Sequence, residues 1–200
     1  MSTRLAARSL GRLHRSSTVF FVCDIQEKFR SGIHAFPCMV SVAQKMIKAA
    51  HILDVPYIVT EQYSKGLGFT VPELDTSKAV GVYDKTKFSM IIPEVTAKLQ
   101  ELKSKSVVIF GIETVLDLLE QEYDVHVLAD GVSSMSVPEI QVALNRMAQA
   151  GAIITSSESV IFQLAQDSND PKFKQISALV KEYQQSAREN ALMFKEKVAL

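Results

Sequence analysis

The sequence predicts a three-layer α/β/α sandwich built on a mainly parallel sheet. Three observations lead there: short apolar runs without polar alternation, amphipathic segments between them, and brief connections that leave room for little else. The apolar runs fall at residues 19–24, 57–60, 107–111, 125–130 and 152–156. A strand that is apolar at nearly every position is covered on both faces, which is the condition of an internal strand in a parallel sheet. Between the runs, Val40, Ala43, Met46, Ile47, Ala50 and Leu53 recur at helical spacing, as do Val95, Leu99 and Leu102, and then Ile140, Ala143, Leu144 and Met147. Pro93 and Pro138 suit a first helical turn, where a missing N–H leaves nothing unpaired. Gly151 suits the stop of the third helix.

One domain is expected over residues 18–186, with a basic segment before it at 1–17 and a C-terminal tail at 187–200. Lysine plus arginine equals aspartate plus glutamate, 22 against 22, so no net field gathers a polyanion and no nucleic-acid partner is expected. The apolar runs fall far short of the roughly 20 residues that cross a bilayer, so no membrane role is expected either. Two cysteines, Cys23 and Cys38, form no C-x-x-C pair, which fits a reducing compartment and a cytoplasmic protein. Arg4, Arg8, Arg12 and Arg15, with serines and no acidic neighbour, have the composition of a mitochondrial transit segment as well as that of a frayed basic tail. The histidines are scattered singly, so no metal site is expected. No glycine-rich phosphate cradle follows a strand, and no cofactor is expected.

Open parallel sheets hold ligands beyond the carboxyl ends of their strands. The polar residues at those ends are Asp24 and Gln26, then Glu61, Gln62 and Tyr63, then Glu113 and Thr114, and finally Asp130. Taken alone, Asp24 could as well close a turn, and Lys85 could be a solvated loop lysine. Cys23 neighbours Asp24, but adjacent strand residues point to opposite faces, so its thiol should turn away from the site into the core. Cys38, beside Phe36 and Met39, reads as packing.

Several segments carry a family resemblance. They are Val22-Cys23-Asp24-Ile25-Gln26-Glu27-Lys28-Phe29, Val59-Thr60-Glu61-Gln62-Tyr63 with Lys65-Gly66-Leu67-Gly68, Lys85-Thr86-Lys87-Phe88-Ser89-Met90, Val108-Ile109-Phe110-Gly111-Ile112-Glu113, and Val125-His126-Val127-Leu128-Ala129-Asp130. In this order they resemble the isochorismatase-like cysteine hydrolases, and within them the animal isochorismatase domain-containing proteins. The resemblance implies a catalytic aspartate at Asp24 and a lysine at Lys85, four residues before Ser89, with Lys87 the weaker candidate. It also implies a nucleophilic cysteine at the start of a helix, whose thiolate attacks an amide or similar carbonyl. Gln26, Phe29 and Gln62 are the expected substrate-binding residues, and a homo-oligomer is the expected assembly.

The cysteine has no counterpart. Glu113-Thr114 leads straight into Val115-Leu116-Asp117-Leu118-Leu119-Glu120, and about seven residues of the family pattern, two helical turns, are missing. The expected protein is therefore catalytically impaired or inactive. Two alternatives stand beside it: a hydrolase that works on an enol ether or small amide through Asp24 and Lys85, and a non-catalytic binding or regulatory protein with an unidentified protein partner.

Overall fold

The computed structural model describes residues 10–112 and 115–193. Glu113, Thr114 and the outer parts of both tails, with Arg4 and Arg8, lie outside the described residues.

Six parallel strands form one sheet in the order β3-β2-β1-β4-β5-β6: β1 Thr18–Cys23, β2 Tyr57–Gln62, β3 Gly81–Lys85, β4 Ser106–Gly111, β5 Asp124–Val132 and β6 Ile153–Thr155. Strands β1 and β4 are fully buried, as continuous apolar runs require. Alternate residues of β1 feed two cores. Phe20 and Val22 pack with α1 (Phe36–Leu53), α6 (Ser157–Ala165) and α7 (Phe173–Glu182), while Val19, Phe21 and Cys23 pack with α3 (Pro93–Glu101), α4 (Leu116–Glu120) and α5 (Val137–Ala150). The three expected layers are thus present.

The sequence reading gives five strands and misses β3. Its burial alternates until Lys85, because it lies at the sheet edge and one face meets solvent. Strand β5 also runs two residues past the expected end, and its pairing with β4 slips register between Ile109 and Gly111. The expected boundaries at residues 17 and 187 fall inside packed structure. Leu13 is buried in the core. Arg15 caps the end of α6 by donating from Nε to the carbonyl of Leu164 at 2.6 Å and pairs with Asp170 at 2.9 Å. Beyond α8 (Gln184–Arg188), Asn190 is buried and donates Nδ2 to the carbonyl of Asp130 at 2.8 Å. No described helix is long and apolar enough to cross a membrane.

The chain builds outward from β1 to β3, then returns to place β4 on the other side of β1. The switch point, where such sheets leave a crevice, lies between β1 and β4. Their ends are tightly closed. Gly111 has φ +109°, and a Cβ there would sit 2.2 Å from the carbonyl oxygen of Cys23, so only glycine lets the two strands meet.

His126 on β5 is fully buried, and among the described residues neither ring nitrogen has a hydrogen-bond partner. Burial pulls its pKa down to about 4, against a small opposing pull from Asp124. An unfolded chain takes up this proton near the ordinary pKa of about 6.5, while the native protein does so only near 4, so stability must fall as pH drops through that window. The loss approaches about 3 kcal/mol at its lower end. Urea unfolding of the protein and of His126→Met at neutral pH and at moderately acid pH checks this: the variant should lose visibly less stability on acidification.

Candidate active site

Asp24 follows β1 directly and leaves the extended conformation, with φ 51°. That left-handed geometry is costly for most residues with a side chain, and aspartate is among those that tolerate it. The backbone holds it: Asp24 N–H donates to the Thr60 carbonyl at 3.2 Å, and Gln26 N–H donates back to the Asp24 carbonyl at 3.0 Å. The carboxylate is buried. Oδ1 accepts from the Thr60 hydroxyl at 2.7 Å, and Oδ2 accepts from Lys85 Nζ at 2.6 Å.

Lys85 is the last residue of β3, two strands away, and its side chain is also buried. Its remaining protons go to Gln62 Oε1 at 2.7 Å and to the carbonyls of Lys87 and Phe88 at 3.2 Å each. One ammonium therefore ties the β1 turn, the end of β2 and the loop after β3 together. Burial pushes the Asp24 carboxyl above the ordinary carboxylate range, outweighing the hydrogen bond and charge of Lys85 that pull it down. Lys87 points elsewhere, 3.5 Å from Asp117. Ser89 is buried and accepts from the Ile91 N–H, which closes the loop that Lys85 holds.

Above Asp24 opens a cavity of about 540 Å³ with walls from Phe29, Leu67, Ile112, Ile140, Leu144 and Met147. Gln62 also faces it, donating Nε2 to the Thr86 carbonyl at 2.9 Å. Of the expected binding residues, Phe29 and Gln62 thus reach the cavity and Gln26 does not. Gln26 is fully buried and its amide is spent on backbone: Nε2 donates to the carbonyls of Gln62 and Gly68, and Oε1 accepts from the Gln62 N–H at 2.6 Å. It pins the segment after β2. Glu61 does similar work, accepting from Thr70 N–H and hydroxyl at 2.7 Å each. Asp130 lies away from the cavity and accepts from the N–H and hydroxyl of Ser157 at the start of α6. Tyr63 is exposed.

Neither cysteine lines the cavity. Cys23 is fully buried as expected, and its thiol donates to the Ile112 carbonyl. It does not turn wholly away from the site, however, because it is one of the lesser influences that pull the Asp24 carboxyl down against burial. Strand alternation applies only while the backbone stays extended, and the left-handed turn at Asp24 brings the two side chains together. Cys38 is half-buried in the first turn of α1.

Ser133, Ser134, Met135 and Glu139 line the cavity and were not foreseen. Ending β5 at Asp130 stops the search two residues short of the true strand end. Among the described residues, no group of three or more His, Cys, Asp or Glu side chains is placed to hold a metal ion.

A buried carboxylate and lysine beneath an apolar cavity, at the switch point of a six-stranded parallel sheet, define the build of an isochorismatase-like hydrolase domain. The chain belongs to the isochorismatase domain family, whose model matches residues 18–159. It is similar to a human isochorismatase domain-containing protein 2, 49% identical over 189 residues that span 88% of this chain and 90% of the relative. Among solved structures it resembles the MAR1 ribonuclease of Caenorhabditis elegans, with TM-score 0.84 and 43% identity over 94% of this chain and 100% of that one. The Escherichia coli YcaC gene product, described as an octameric hydrolase of unknown specificity, shares the fold at TM-score 0.78 and 20% identity, covering 92% of this chain and 98% of that chain.

Proposed function

We propose that this chain keeps the ligand cavity and the aspartate–lysine pair of its family but has no thiol-dependent hydrolase activity. The observation that carries the reading is that no cysteine faces the cavity in which Asp24 sits. Without a thiolate there is no covalent intermediate to divide amide hydrolysis into two easier steps. The human alignment runs over 189 residues yet takes in only 88% of this chain's 200, which supports a chain shorter than its relatives within the aligned region. A five-residue α4 beside the eighteen-residue α1 supports the same reading. Incubation with simple aliphatic and aromatic amides should give no turnover above that of Asp24→Asn. Hydrolysis by the native chain that the substitution abolishes would overturn the proposal.

A second reading has one observation in its favour. Cleavage of an enol ether by Asp24 as proton donor needs a protonated carboxyl, and burial moves Asp24 in that direction. Turnover of a vinyl ether, lost in Asp24→Asn, distinguishes it from the first. Among the described residues the cavity lining offers no lysine or arginine to meet a phosphodiester, which gives the activity named for the nematode protein no support in this cavity.

The assembly we propose is a homo-oligomer. Phe69, Phe88 and Met135 are at least 70% exposed, a cost in water that burial against a second copy removes. Light scattering at micromolar concentration should give at least twice the 22.1 kDa chain mass; a monomer at every concentration would contradict it.

A further inference from the structure

Accepting the Asp24 cavity as the ligand site, we infer that it selects an apolar amine over a carboxylate, with the ammonium group held at Glu139 and the apolar body against Phe29, Met135, Leu144 and Met147. The size fits, since about 540 Å³ lies within the range of small-molecule sites. Charge decides the class. The only ionisable residues that line the cavity, among those described, are Asp24 on its floor and Glu139 at the mouth. Lys85 lies behind Asp24, buried and fully engaged, so that pair presents little net charge.

Glu139 is different. It is exposed in the first turn of α5 and has no ion-pair partner among the described residues. Two cations on other elements are paired with other carboxylates, Arg30 with Glu27 and Glu73 and Lys87 with Asp117. The positive end of the α5 dipole is met by Glu139 itself. A carboxylate ligand would therefore meet a negative charge offset only by the helix dipole and, among the described lining residues, no cation, whereas an ammonium would find a carboxylate and the aromatic rings of Phe29 and Phe88 in the same lining.

The test uses the intact chain and three ligands of matched shape: 3-phenylpropylamine, 3-phenylpropanol and 3-phenylpropanoate. Isothermal titration at neutral pH should show the amine binding about tenfold or more tighter than the carboxylate, or about 1.4 kcal/mol. Because Glu139 is exposed, Glu139→Gln and Glu139→Lys should both fold. The first should remove most of the preference and the second should reverse it. Ala143→Trp, which fills the cavity, should abolish binding of all three. Equal binding of the three ligands, with no response to Glu139→Lys, overturns the amine selectivity and leaves the cavity standing as a ligand site. Failure of all three to bind overturns both.

Discussion

Inserting a family-type segment of about seven residues, cysteine included, between Glu113 and Thr114 should raise the melting temperature by roughly 5–15 °C and create a reactive thiol. The thermal part follows from what α4 leaves uncovered. With only five residues, it buries Leu118 but leaves Leu119 half-buried, and across the cavity Ile140 and Leu144 of α5 remain half-buried too. Two more helical turns add about 10 Å of helix. Covering two or three such side chains contributes about 2–4 kcal/mol, which a domain of this size expresses as about 2–4 °C per kcal/mol. Two turns also shift the helical phase by only about 20°, so Leu118 need not leave its core position. The chemical part follows from placement, since a cysteine at a helix N-terminus is favoured as the thiolate. The same insertion with serine should keep the thermal gain and lose the reactivity. Equal melting of native and extended chains, measured by calorimetry, would show that the short crossover costs nothing.

Replacing Lys85 by methionine should destabilise the protein by about 3–5 kcal/mol at neutral pH, the usual cost of stranding one member of a buried ion pair. Asp24 would keep the Thr60 hydroxyl but lose its charge partner, while Gln62 Oε1 and the carbonyls of Lys87 and Phe88 would lose their donor. The carboxyl can escape part of this cost by taking a proton, which raises its native pKa further above the unfolded value. A raised acid contributes stability below its unfolded pKa and loses it as pH rises, so the deficit of Lys85→Met should shrink toward pH 4 and grow toward neutrality. The double variant Asp24→Asn, Lys85→Met should be more stable at neutral pH than Lys85→Met alone, because no charge is left stranded. Denaturant titrations at two pH values decide the matter. A loss under about 1 kcal/mol would place the pair in solvent-like surroundings instead.

How much of this was legible in the sequence depends on what kind of signal each element carries. The internal strands announce themselves because both faces are covered and the residues are apolar throughout, as in Val107-Val108-Ile109-Phe110. Strand β3 does not, since an edge strand alternates with solvent and Gly81-Val82-Tyr83-Asp84-Lys85 resembles any loop. Lys85 could therefore be singled out only through family resemblance, and its pairing with Asp24 was visible only once β3 was seen beside β2. Gln26 illustrates the opposite difficulty. A polar residue at a strand end suggests a ligand contact, but hydrogen bonding to backbone carbonyls spends both ends of its amide. Ser133, Ser134 and Glu139 were out of reach because a register slip carries β5 beyond its apolar run, and apolar pattern says nothing of where an irregular strand stops. Cys23 was half legible: its burial follows from the strand, while its influence on the Asp24 carboxyl depends on a backbone turn that the residue type does not announce.

The proposal that no thiol serves the Asp24 cavity is tested most directly by intact-mass spectrometry of the native chain after brief exposure to iodoacetamide at neutral pH. Cys23 is fully buried and should not label rapidly, while half-buried Cys38, which lies outside the cavity, should label at the same rate in Asp24→Asn. A single fast adduct on Cys23 that disappears in Asp24→Asn would contradict the account, for it would show an aspartate-activated thiol already at work in the short chain.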